Sequence, residues 1–156
     1  MDKPNACCAS AAQPNVSLTS MSDDAHRRTV RDAYAQVAQV SGKGQSGGNA
    51  SSCCGVSDDG AINTLISTRL GYSQADLDLA PAGADMGLGC GNPKAIAALK
   101  PGETVVDLGS GGGFDCFLAV GEVGRSGQVI GVDMTPEMVS KARANALKGQ
   151  YENVEF

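Results

Sequence analysis

The sequence predicts an α/β fold with a Rossmann-like parallel sheet that starts near residue 101, behind a helical N-terminal segment. Three observations carry this. From Thr104 onward short apolar strands alternate with helical patterns; a carboxylate at the end of the first strand runs into a glycine-rich turn; and a second carboxylate ends the next strand about twenty residues later.

The elements follow in order. Residues 1–21 are rich in Ala, Ser, Asn and Pro without apolar periodicity, which predicts a disordered arm. Ser22, Asp23 and Asp24 open a helix, in which Val30, Tyr34, Val37 and Ala38 recur at helical spacing up to Val40. Gly, Ser and Asn dominate from Ser41 to Gly60, a composition that resists regular structure and predicts a loop carrying Cys53 and Cys54. Ile62, Leu65, Ile66 and Arg69 predict a second helix closed by Gly71, and Ser73 begins a short turn through Leu77 and Leu79. Gly83 to Gly91 is loop again, with Cys90 inside it. Asn92 and Pro93 suit the cap and first turn of a helix to about Leu99, stopped by Lys100-Pro101-Gly102.

The βαβ pattern then sets in. Thr104 to Leu108 is a strand, Phe114 to about Val123 a helix, and Gln128 to Asp133 a second strand. Thr135-Pro136 starts a helix to about Leu147, and Val154 to Phe156 begins a third strand. The domain organisation expected is therefore an arm over 1–21, a helical region with thiol loops over 22–100, and the first part of a ligand-binding domain over 101–156. A doubly wound sheet needs strands on both sides of its first strand, so the fold is expected to be truncated at about the third strand.

Composition narrows the partners. The 156 residues include 12 basic and 17 acidic ones, a net charge of −5, and no Lys/Arg cluster offers the positive patch that nucleic acid needs. No apolar run reaches the ~18 residues of a membrane span, and no signal segment opens the chain, so a soluble, cytoplasmic protein is expected with no membrane partner. Six cysteines in such a chain point to thiol chemistry rather than a disulfide scaffold.

Val105-Val106-Asp107-Leu108-Gly109-Ser110-Gly111-Gly112-Gly113-Phe114 carries the ligand signal. Glycines allow a tight turn and close backbone approach, and a helix N-terminus follows directly, which suits a polar, nucleoside-sized ligand. A dinucleotide fingerprint needs glycine where Phe114 stands. Asp107 with Gly109, Gly111 and Gly113 instead resembles methyltransferase motif I. Asp133 is placed to accept both ribose hydroxyls, and Met134 to line the adenine pocket. Asp115 either complements the helix dipole or touches ligand. Tyr72 and Asn92 flank the loop, as ligand contacts or as a packing residue and a helix cap respectively.

The thiols complete the constellation. Cys90 sits in Gly87-Leu88-Gly89-Cys90-Gly91-Asn92-Pro93, where a thiolate would gain from the helix dipole that follows. Cys116, beside Phe117 and Leu118, reads as a small core residue. His26 reads as a surface residue beside Arg27 and Arg28, and Cys7 and Cys8 as arm residues outside the site.

Leu70-Gly71-Tyr72-Ser73, the Gly87 to Pro93 segment, Asp107 to Cys116 and Gly131-Val132-Asp133-Met134-Thr135 together resemble arsenite methyltransferases of microbial type, over roughly residues 25–156. The resemblance implies a class I (Rossmann-like) methyltransferase fold with S-adenosyl-L-methionine as methyl donor. Asp107, Gly109, Ser110, Gly111, Gly113, Asp133, Met134 and Asn92 would then bind the donor. Cys90 with Cys53 or Cys54 would hold trivalent arsenic, the metalloid substrate, and carry the catalysis. Family cysteines beyond the third and fourth strands have no counterpart here, so the chain alone is expected to be an inactive fragment.

The implied chemistry suits the residues: soft thiolates select a thiophilic centre, and thiolate-bound arsenic keeps a lone pair that can attack the sulfonium methyl without a general base. Substrates would be arsenite or its thiol conjugates, and a reductant such as thioredoxin or glutathione would restore oxidised cysteines. The alternatives are a methyltransferase acting on another small nucleophile, and a non-catalytic arsenite-binding thiol protein.

Overall fold

A computed structural model describes residues 23–40 and 59–156. The arm expected over 1–21 and nearly all of the loop expected over 41–60 lie outside the described residues, and with them Cys7, Cys8, Cys53 and Cys54.

The element order is α1 (Asp23–Val40), α2 (Asp59–Arg69), α3 (Gln74–Leu79), α4 (Lys94–Ala97), β1 (Thr104–Leu108), α5 (Phe114–Val123), β2 (Gln128–Val132), α6 (Pro136–Gly149) and β3 (Val154–Glu155). The three strands form one parallel sheet in the order β1-β2-β3. Thr104 pairs with Gln128 and Leu108 with Val132, so the C-terminal ends of β1 and β2 lie level. That level end is where both carboxylates emerge.

Packing follows the alternation within each strand. Val105 of β1 and Val129 of β2 face α5 and meet Cys116, Ala119 and Val123, with Val154 and Phe156 closing the cluster. Leu118, Val123, Val129 and Met138 are all but fully buried; each such side chain contributes about 1.5–3 kcal/mol relative to exposure. A second cluster joins Ala38 of α1, Met86 and Met138 of α6, which seats the N-terminal region on the sheet unit.

Four local expectations change. Residues 74–79 form a helix rather than a turn, because Ser73 and Asp76 make a reciprocal capping box. The helix expected to reach Leu99 is the single turn α4, ended by Ala98 in a left-handed conformation ahead of Pro101, which disfavours helix at the residue before it. One turn supplies little of the dipole field expected at Cys90. His26 is half-buried rather than a surface residue, its Nε2 shielded and without a hydrogen-bond partner among the described residues.

Candidate functional site

The glycine-rich turn grows directly out of the sheet. Val132 carbonyl oxygen accepts from the amides of Gly109 (2.7 Å) and Ser110 (3.1 Å), so the turn starts as an extension of the β1–β2 pairing. Gly113 then opens α5 at φ 90°, where a Cβ would stand 2.8 Å from Phe156 and 2.9 Å from Phe117. Only glycine satisfies both the left-handed backbone and that contact.

Two side chains hold this turn. Asp133 accepts from Gly111 N–H at 2.9 Å and from Thr135 N–H at 2.8 Å, bridging the turn to the start of α6. The buried Asn145 donates to Gly112 carbonyl oxygen at 3.0 Å. From the other side a Cβ on Gly112 would come within 3.0 Å of Ala84 carbonyl oxygen and 3.1 Å of Met86 Sδ. The loop before Cys90 therefore packs down onto the cradle.

Between them lies a cleft of about 100 Å³, lined among others by Tyr72, Asp85, Met86, Asp107, Gly111 and Asp115. Whole small-molecule sites run to ~300–1,000 Å³, so this cleft has room for only part of a nucleoside-sized ligand. The open positions beside it are Leu108 and Met134, 80% and 56% exposed at the strand ends.

Three carboxylates give the cleft its charge. Asp85 accepts from Ser67 Oγ (2.9 Å) and Gly87 N–H (3.0 Å). Asp107 accepts from the buried Cys116 thiol at 3.2 Å. Burial, and then the charge on Asp107, push that thiol well above its usual range, so Cys116 is a packed core residue as expected from its neighbours. Asp115 is also pushed up, chiefly by burial and then by the charges of Asp107 and Asp85, against the lowering effect of its bond to Tyr72.

Tyr72 is the connection the sequence did not reveal. It is 3% exposed, and its hydroxyl lies 2.6 Å from Asp115 Oδ1 and 2.9 Å from Gly91 carbonyl oxygen. Its ring meets Phe114 edge-on with centroids 5.0 Å apart. Burial and the hydrogen bond to Asp115 drive the phenol far above its ordinary range, so it stays a donor at all ordinary pH.

The remaining expected residues are distributed as follows. Gly109 and Gly111 have positive φ and open space where a Cβ would stand, so a ligand can lie against the backbone there. Ser110 is 8% exposed, and its Oγ is buried with no hydrogen-bond partner among the described residues, 2.9 Å from where a Gly131 Cβ would stand. Asn92 donates from Nδ2 to Gly71 carbonyl oxygen (3.0 Å) and accepts at Oδ1 from Ala95 N–H (3.2 Å), so both its polar atoms are engaged within the chain. Cys90 is exposed and makes no disulfide among the described residues; its neighbour Gly89 lines the cleft. Cys53 and Cys54 lie outside the described residues. Asp85 and Met86 line the cleft although no motif marked them.

A cationic, nucleoside-bearing donor fits this set: an open glycine cradle, Asp107 and Asp133 at the two strand ends, and Asp85 and Asp115 beside Asp107 in the cleft lining. The chain is similar to several known proteins. A family described as a methyltransferase domain matches residues 99–156. An arsenite methyltransferase of Halobacterium salinarum is 50% identical, covering 96% of this chain and 39% of that protein. An arsenite methyltransferase of Aquipseudomonas alcaligenes is 44% identical over 44% of this chain and 20% of its own length. The solved arsenic(III) S-adenosylmethionine methyltransferase of Chlamydomonas reinhardtii is 31% identical and superposes with a TM-score of 0.40, covering 58% of this chain and 30% of that one.

Proposed function

The chain's sequence is that of the arsenite methyltransferase family over the 39% of such a protein that it spans, and on that premise we propose that it contributes the donor site and part of the thiol site for methyl transfer from S-adenosylmethionine to trivalent arsenic. The observation that carries this reading is the meeting of two parts at one place: the glycine cradle between Asp107 and Asp133, and the Cys90 loop packed onto it through Ala84 and Met86.

S-adenosylmethionine brings an electrophilic methyl group on a sulfonium. The acidic lining of Asp85, Asp107 and Asp115 suits that cation and its ammonium group. Asp133 is the partner for the ribose hydroxyls and Met134 the cover for the adenine, while Ser110 and Asn92 shape the cradle and the loop beside it. Cys90, together with Cys53 or Cys54, is the thiolate set for arsenite or its thiol conjugates. Thiolate ligation leaves arsenic its lone pair, so the protein's work is alignment, a proximity effect that can reach ~7–11 kcal/mol. A thiol reductant restores cysteines oxidised in turnover.

We place this activity in the cytoplasm, in arsenic detoxification, with residues 22–100 carrying thiols and residues 101–156 the first part of the donor domain. No helix among the described residues is long and apolar enough to cross a membrane.

The test is an arsenite methylation assay with S-adenosylmethionine and a reductant, run on this chain and on one extended through the downstream coding sequence, beside calorimetric donor binding. Donor binding by both, with methylated arsenicals from the extended chain, is expected. Donor binding without methylation by either refutes the substrate; no donor binding by either refutes the methyltransferase reading.

A further inference from the structure

The thiol loop is fixed at its ends and free at its middle. Before Cys90, Gly87 N–H donates to Asp85, and a Cβ on Gly89 would stand 3.2 Å from Leu70 Cδ1. After it, Gly91 carbonyl oxygen accepts from Tyr72, and Asn92 donates to Gly71 carbonyl oxygen. Cys90 itself is exposed. Its position is therefore inherited from its neighbours.

Among those tethers the Tyr72 hydroxyl is distinct, because its other partner is Asp115 on the first turn of α5, the helix that opens directly from the glycine cradle. The phenol is held in the interior by burial and by the ring of Phe114, so it has little freedom to follow the loop. A phenol carries one hydrogen for two acceptors. Both acceptors lie within its reach, Asp115 Oδ1 at 2.6 Å and Gly91 carbonyl oxygen at 2.9 Å, so the one hydroxyl bridges the helix and the loop.

We propose that Tyr72 is a positioning residue for the methyl transfer: its hydroxyl joins the Cys90 loop to the first turn of α5, so that the thiol is held in register with the donor cradle. The proposal rests on the methyltransferase reading for its purpose, though the joint is a property of this chain alone. It also predicts a coupling. A donor that orders the start of α5 orders the Cys90 loop through the same hydroxyl.

Hydrogen exchange read by mass spectrometry tests it, on this chain and on Tyr72→Phe, with and without S-adenosylmethionine. Loss of one hydrogen bond should speed exchange in residues 86–95 about fivefold, with β1 and β2 unchanged and the donor's protection of the loop abolished. A loop exchanging at the wild-type rate overturns the proposal, and so does uniform acceleration of loop and strands, which marks a merely structural role. Should the variant not fold, the wild-type chain decides by proton NMR: a slowly exchanging phenol proton with a contact to Gly91 supports the joint, and its absence overturns it. Donor binding is measured separately, so failure there counts against the methyltransferase reading and leaves the loop result standing.

Discussion

The two faces of the sheet differ sharply although their residues are alike. On one face Val105 and Val129 lie against α5 in the core, Val129 at 0% exposure. On the other, Val106, Leu108 and Val132 are 55%, 80% and 46% exposed. Strands apolar on both faces belong to parallel sheets covered on both sides. The described residues supply the cover for one side only, and the chain spans 39% of the Halobacterium salinarum relative. Apolar residue type and stabilising residue are thus separate properties here, and substitutions can pull them apart.

The largest effect is expected at Gly113→Ala, under the covered face. A side chain at φ 90°, within 2.9 Å of two phenyl rings, must distort both the turn and the core. We expect a loss of about 3 kcal/mol or more, read as a collapse of the urea midpoint, together with loss of donor binding. Val129→Ala should follow, lowering unfolding free energy by about 2 kcal/mol with the cradle's geometry kept. A Val129 variant as stable as wild type would show that the α5 face is not the core.

A smaller effect is expected from acid. Asp76 is held down to about 2 from 3.8, first by Lys94 at 2.6 Å and then by the Ser73 hydroxyl and amide. A carboxyl lowered on folding contributes stability that is whole above its unfolded value and lost as pH falls through the folded one. Stability should therefore decline between about pH 4 and pH 2 in part through this group, and Asp76→Asn should flatten that limb while lowering the plateau. An unchanged acid limb in the variant would remove Asp76 from the account. The smallest effect belongs to the bare face: Leu108→Ala should stay within about 0.5 kcal/mol of wild type and reduce aggregation in light scattering. A loss at Leu108 comparable to that at Val129 would erase the contrast between the faces.

Much of this was legible in the sequence for local reasons. The βαβαβ run shows itself because apolar strands, Thr135-Pro136 and the glycine turn are each signals within a few residues. The glycine turn and its two flanking carboxylates, Asp107 and Asp133, were placed in the same way, at strand ends that the pairing of Leu108 with Val132 brings level. Helix α3 was missed because its capping acid is Asp76, where the familiar box has Glu or Gln, and α4 was drawn too long because a left-handed Ala98 carries no composition signal. The joint between Tyr72 and Asp115 spans 43 residues of chain, and the close approach of Met86 to Gly112 is also non-local. Such pairs exist only once the segment between α2 and β1 has docked on the glycine turn and α5, and no periodicity announces them.

The hold that Gly111 and Thr135 exert on Asp133 has a further consequence. A carboxylate gripped by two backbone amides has already surrendered its rotamers on folding. On the proposed reading, a diol arriving at that edge meets acceptors whose direction is set, and the ordering cost of about 0.5–1.5 kcal/mol for a mobile side chain does not recur on binding. Affinity at this corner is thus a property of folding stability: whatever loosens the turn weakens the ligand's grip by making the acceptor search for its pose.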